Sequence, residues 1–182
     1  MSKVNIYLTG FMASGKSTIG PIVANTLGWE FYDLDKEIEK RERKTIPDIF
    51  KENGEKYFRK LEIEVLKELS TGNSLIISLG GGALTNQLNR KIIKQTGKLI
   101  YLESSIEIAF KRLKHKRDRP VLLSEDVSEQ TEEAIYNKIK LLFGERKKYY
   151  EEADYTFNTD NDQIGITVDK IANLIQGLTN NK

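Results

Sequence analysis

Eight residues near the amino end, Gly10-Phe11-Met12-Ala13-Ser14-Gly15-Lys16-Ser17, have the spacing G-x-x-x-x-G-K-S of a phosphate-binding loop. Gly10 and Gly15 allow the backbone to curl so that its N–H groups face phosphate oxygens. Lys16 is placed to reach the β- and γ-phosphates, and the Ser17 hydroxyl to coordinate Mg²⁺. The lysine is expected to lie in solvent when no nucleotide is bound. A second chemical feature is the acidic pair in Asp33-Leu34-Asp35. One carboxylate could support a metal and the other accept a hydrogen bond from a substrate hydroxyl. Aspartate is also a good helix N-cap, and spacing alone leaves both readings open. A third is Gly80-Gly81-Gly82, where backbone N–H groups could approach a small polar ligand or a γ-phosphate; an ordinary tight turn needs the same glycines. Arg59 could hold a carboxylate by two parallel hydrogen bonds, or be a surface charge. The basic run from Lys111 to Arg119 could supply a cation to a transferring phosphate, or complement a helix end. His115, the only histidine, reads as solvated.

The elements that must position these groups follow from periodicity. An apolar run, Val4 to Leu8, precedes the loop and reads as a buried strand. Ile19, Ile22, Val23, Thr26 and Leu27 follow it at helical spacing, so strand, loop and helix supply the context this motif requires. Pro21 falls inside that helix and is expected to bend it near Ser17. Gly28 should end it. Further strands are expected at 30–33, 75–79, 98–102 and 155–157. Helices are expected from Leu34 to about Arg43, from a Thr45 cap to about Asn53-Gly54, and along the stripe Phe58, Leu61, Val65, Leu66, Leu69. Others should run at about 87–95, from Ser104 to about Lys114, around 135–143, and from Ile164 to Leu178. Residues 115–130 show little periodicity and read as a mobile loop that closes over the ligands as a lid. Strands alternating with helices predict an α/β fold, a parallel sheet covered on both faces. Ligands then sit outside the carboxyl ends of the strands, where the loop, the acidic pair and the glycine triplet all fall.

Composition bounds the rest. The chain has 182 residues, 38% hydrophobic and 31% charged, which suits one globular domain spanning 1–182. Its net charge of +2 gives no reason to expect nucleic acid as a partner, and no apolar run is long enough to span a bilayer. With no cysteine, disulfides and thiolate metal sites are excluded. Met1-Ser2-Lys3 runs straight into the first strand, so no leader is expected, and the lack of cysteine fits a reducing compartment, the cytoplasm being the expected location.

Taken together, these segments resemble the shikimate kinase family. The resemblance covers nearly the whole chain. It rests on GFMASGKST at Gly10–Thr18, FYDLD at Phe31–Asp35, IPDIF at Ile46–Phe50, GEKYFR at Gly54–Arg59 with Glu62, GGGA at Gly80–Ala83, RPVL at Arg119–Leu122, and Arg146 in ERKKYY. It implies a three-layer αβα fold of the P-loop hydrolase type with a five-stranded parallel sheet in the order 2-3-1-4-5. A substrate-binding segment would lie at about 34–62. The implied activity is ATP- and Mg²⁺-dependent phosphorylation of the 3-hydroxyl of shikimate, in aromatic amino acid biosynthesis, by a monomer. Gly10, Ala13, Ser14, Gly15, Lys16, Ser17 and Thr18 would bind ATP, with Ser17 and Asp33 serving the metal. Asp35 would be the base. Phe50, Phe58, Arg59, Gly80, Gly81, Gly82 and Arg146 would form the shikimate pocket. Arg112 would stack on adenine, Arg119 would approach the transferring phosphate from the lid, and Asn158 and Thr159 would lie near the base edge. Ala13 stands where the family often has glycine. A related kinase acting on gluconate or a nucleoside monophosphate remains the alternative, though an Arg59–Arg146 clamp favours a small acid. A nucleotide-switched binding protein of the small GTPase kind lacks support, because no Asn-Lys-x-Asp tetrapeptide is present.

Overall fold

A computed structural model describes residues 4–114 and 131–180. Five strands, β1 (Asn5–Thr9), β2 (Glu30–Asp33), β3 (Leu75–Ser78), β4 (Gly97–Glu103) and β5 (Tyr155–Asn158), form one sheet in the order β2-β3-β1-β4-β5. All four pairings are parallel. The order bears out the sequence expectation.

Alternation along the strands decides which helices lie on which face. Ile6, Leu8, Ile76, Ile100 and Leu102 pack with Ile19, Val23, Val168, Ile171 and Ile175, so α1 (Lys16–Leu27) and α7 (Ile164–Asn180) cover that side. Tyr7, Ile77, Leu99 and Tyr101 point the other way. They pack with residues of α2 (Leu34–Glu42), α3 (Ile46–Ser70), α4 (Gln87–Thr96), α5 (Ile106–Lys114) and α6 (Glu132–Tyr150). These are the three layers expected.

Local chemistry sets the element ends. Gly28 caps α1 in the left-handed conformation at φ 67°. Pro21 does lie within α1, so the Ser17 carbonyl has no N–H at the i+4 position to accept. Thr45 accepts from the Asp48 N–H and starts α3. The expected stop near Asn53-Gly54 is present as a break: Gly54 sits at φ 78°, ψ 170° between two helical halves. The first half carries Phe50 and the second carries Phe58, Arg59 and Glu62. Helix α5 begins two residues later than expected. Ser105 is its capping residue, while Ser104 is buried and donates to Asp160.

Candidate active site

At the carboxyl edge of the sheet, a cavity of about 880 Å³ runs from the phosphate loop to the glycine triplet. Its size suits two small ligands side by side. Central β1 delivers the loop. Gly10 turns it at φ 148°, and a Cβ there would meet the Leu102 carbonyl at 2.5 Å, so only glycine fits. Gly15 is the N-cap of α1 at φ 101°, which aims the first turn of that helix at the cavity. Residues 12–19 line the cavity, among them Ala13, Ser14, Gly15, Lys16, Ser17 and Thr18; Gly10 lies behind them, with its carbonyl facing Lys16.

One expectation for the loop needs correction. Lys16 is half-buried: its ammonium donates to the carbonyls of Gly10 at 2.7 Å and Phe11 at 3.1 Å. A compact cation beside two inward carbonyls is drawn onto them. Ala13 stands in an unusual backbone conformation. It adopts φ 61°, the left-handed region where a Cβ is strained.

The carboxyl end of β2 carries both expected aspartates to the cavity wall. The two readings divide between them. Asp33 caps α2, its Oδ1 accepting from the Lys36 N–H at 3.3 Å, and also lines the cavity. Asp35, one residue into α2, faces the triplet: a Cβ on Gly80 would lie 2.6 Å from its Oδ1. The other two glycines repeat the pattern. A Cβ on Gly81 would lie 3.4 Å from Arg146 Nη1, and one on Gly82 would lie 3.1 Å from Arg59 Nη2. Each glycine thus backs one candidate functional side chain: a Cβ would force Asp35 to move, crowd Arg59 by a few tenths of an ångström and merely touch Arg146.

Arg59 is not a free surface charge. Its Nη1 donates to both oxygens of Glu62 at 3.1 and 3.2 Å, and its Nε and Nη2 donate to Glu55 Oε1 at 3.2 and 3.1 Å. The guanidinium carbon lies 5.2 Å from the Phe58 ring centroid, and Phe58 packs on Phe50 at 4.8 Å. Sequence reasoning gave Glu62 no role. It is buried and also accepts from Asn89 Nδ2 at 3.1 Å. Burial pushes its carboxyl above the usual range, against the pull of Arg59 and Asn89. Its signal was present: a carboxylate within the apolar stripe of α3, between Leu61 and Val65.

On the other side, Arg112 donates to the carbonyls of Ala13 at 3.0 Å and Thr159 at 2.9 Å, joining the phosphate loop to the end of β5. Thr159 lines the cavity through this joint. Asn158 does not line it. Its side chain is exposed and accepts from the Asp160 N–H at 3.0 Å, closing a turn after β5. The acidic group here is Asp160. Burial would raise its pKa, but hydrogen bonds from Ser104 and Ser105 and the Arg112 charge together hold it below the usual range. Arg119, and with it the whole of the expected lid at 115–130, lies outside the described residues.

A cavity joining a phosphate loop to a carboxylate and two arginines fits a kinase for a small acid, and comparison with known proteins settles which family. A sequence model of the family described as shikimate kinase matches residues 12–176. The chain belongs to the shikimate kinase family. Members phosphorylate a hydroxyl of shikimate using ATP. The chain is 46% identical to the shikimate kinase of Prosthecochloris aestuarii over 94% of its own length and 87% of that protein. It is 43% identical to that of Chloroherpeton thalassium over 94% and 91%. Among solved structures, the shikimate kinase of Acinetobacter baumannii in complex with shikimate superposes with a TM-score of 0.86, at 38% identity, over 99% of this chain and 96% of that one. The Bacteroides thetaiotaomicron enzyme gives 0.87 at 34% identity, over 96% and 99%.

Proposed function

We propose that this chain transfers the γ-phosphoryl group of ATP to the 3-hydroxyl of shikimate, with the roles distributed along the cavity. The observation that carries this reading is the glycine triplet, which gathers Asp35, Arg146 and Arg59 opposite the phosphate loop. Arg59 and Arg146 hold the acceptor carboxylate, and Phe50 and Phe58 form the apolar wall beside its ring. The acceptor replaces Glu55 on the outward edge of Arg59, while Glu62 keeps the inner edge. Asp35 accepts the hydroxyl proton as the oxygen attacks the γ-phosphorus. The bond from that phosphorus to the β–γ bridging oxygen breaks, and ADP leaves. Lys16 and the N–H groups of residues 13–18 stabilise the charge spread over the transferring phosphoryl oxygens. Arg112 lies at the adenine side with Thr159.

The donors present fit Mg²⁺. Ser17 and Asp33 both line the cavity and both offer hard oxygens. Asp33 would hold the ion, directly or through water, with its carboxylate, which also caps α2 through Oδ1. When bound, the ion would neutralise charge on the β- and γ-phosphates. The protein is read as a single-domain cytoplasmic monomer, and light scattering on the purified chain checks its mass; among the described helices none is long and apolar enough to cross a membrane.

The test is ADP release measured with shikimate, gluconate and nucleoside monophosphates in parallel. Turnover with shikimate alone is expected. Faster turnover with gluconate or a nucleotide acceptor would refute the assignment.

A further inference from the structure

Tyr150, the last residue of α6, has no part in the roles above, yet its hydroxyl lies behind the acceptor side, bonded to the glycine triplet. The side chain is 1% exposed and its ring stacks on Tyr101, with centroids 5.4 Å apart and planes at 24°. The hydroxyl donates to the Gly81 carbonyl at 2.6 Å. Arg146, one helical turn earlier on the same face of α6, lies beside that oxygen: a Cβ built on Gly81 would be 3.8 Å from the Tyr150 hydroxyl and 3.4 Å from Arg146 Nη1, and the guanidinium pulls the phenol's pKa down against burial. One atom therefore ties α6 to the glycine triplet beside the guanidinium, joining residues 69 apart in sequence.

We propose that Tyr150 is a positioning residue of the acceptor site, its hydroxyl fixing the Arg146 guanidinium and the Gly81 peptide in one geometry so that the arginine meets the acceptor carboxylate already oriented. The inference rests on the reading that Arg146 holds that carboxylate. An arginine side chain has several rotatable bonds, and a fixed polar neighbour near its end narrows that freedom before the ligand arrives. The Gly81–Gly82 peptide is planar and trans, so holding the Gly81 carbonyl towards Tyr150 turns the Gly82 N–H to the opposite side. A neutral phenol can donate and accept at once. Burial pushes this one up to about 12, so it stays neutral at physiological pH.

A role in packing alone would need only the ring. The neighbouring Tyr101 supplies the control. Its hydroxyl is buried and makes no hydrogen bond among the described residues. Tyr150→Phe and Tyr101→Phe therefore each delete one buried oxygen from the same stacked pair, only one of which is bonded to the site.

The experiment measures shikimate and ATP KM and kcat by coupled ADP release for Tyr150→Phe, Tyr101→Phe, Arg146→Lys and the Tyr150→Phe/Arg146→Lys double variant. Tyr150→Phe is expected to raise the shikimate KM about tenfold, the loss of one hydrogen bond. Its ATP KM and kcat should stay within about threefold, because the interaction is made equally in ground and transition states. Tyr101→Phe should move neither KM, and in the Arg146→Lys background the hydroxyl should cost much less. If Arg146→Lys raises the shikimate KM but Tyr150→Phe leaves it unaltered, the site reading stands and this inference falls. If Arg146→Lys leaves it unaltered, the site reading itself falls, and the inference with it. Equal effects from the two Phe variants, a Tyr150→Phe variant whose ATP KM rises in step with its shikimate KM, or strict additivity in the double variant would each show general packing and overturn it.

Discussion

At the scale of single residues, the site divides into groups that change chemistry and groups that change binding. Asp35→Asn keeps the shape beside Gly80 but cannot take a proton. Its kcat should fall about 10²-fold or more while shikimate binding weakens less. A variant with unaltered kcat and a raised KM would make Asp35 a binder only. Arg59→Lys keeps the charge yet loses the fork that now grips Glu62 and Glu55. The shikimate KM should rise at least about tenfold with the ATP KM little altered; a fall in ATP affinity instead would place Arg59 on the nucleotide. Ala13 offers a test of strain. A non-glycine residue in the left-handed region costs about 1–2 kcal/mol, and glycine's extra freedom in the unfolded chain returns about half of that. Ala13→Gly should therefore be neutral to about 1 kcal/mol stabilising in urea unfolding. Clear destabilisation would mean that the methyl makes contacts outweighing its strain.

The elements were legible wherever a local pattern dictates them. The glycine cap of α1, the Thr45 cap of α3 and the alternation of strand and helix each depend on residues a few positions apart, and each is present as read. The Tyr150–Gly81, Glu62–Asn89 and Lys16–Gly10 bonds could not be read this way, because they depend on which elements fold together or on which way a loop carbonyl turns. The turn that Asn158 closes with the Asp160 N–H was missed for a related reason: a polar residue at a strand end serves a turn as readily as a ligand. The break in α3 is the element whose chemistry can be tested. Nothing lies within 4 Å of a Cβ built on Gly54, so substitution meets no steric wall, only the backbone conformation at φ 78°. Gly54→Ala should cost about 1–3 kcal/mol in urea unfolding, the range for a glycine-only conformation. It should also favour a continuous helix, which would swing Phe50 away from Phe58 and raise the shikimate KM. Unaltered stability would show that the break is not held by this glycine.

For the whole molecule, Glu62 links the acceptor site to pH. Its folded pKa is raised because burial penalises the charged form more than Arg59 and Asn89 offset it. The sign follows from proton uptake. Between the raised folded pKa and the ordinary carboxylate value, the folded protein holds a proton there that the unfolded chain does not. Lowering the pH through that window therefore adds stability, and at higher pH the ionised group is a net cost relative to water. Wild type should gain stability relative to Glu62→Gln as the pH falls through the window, measured by urea unfolding at a series of pH values. A difference independent of pH would mean that Glu62 titrates alike in both states.

Lys16 and Arg59 share a circumstance that bears on how both substrates bind. The ammonium rests on two loop carbonyls, and the guanidinium grips a surface carboxylate, Glu55, on its outward edge. Neither cation waits in bulk water. Each incoming anion must therefore trade places with oxygens of the chain itself, so that binding is an exchange of partners rather than the capture of a bare charge. The affinity measured for phosphate or carboxylate is then a difference between two sets of oxygen contacts. A substitution that weakens the resident set, such as Glu55→Gln, alters that difference without touching either ligand.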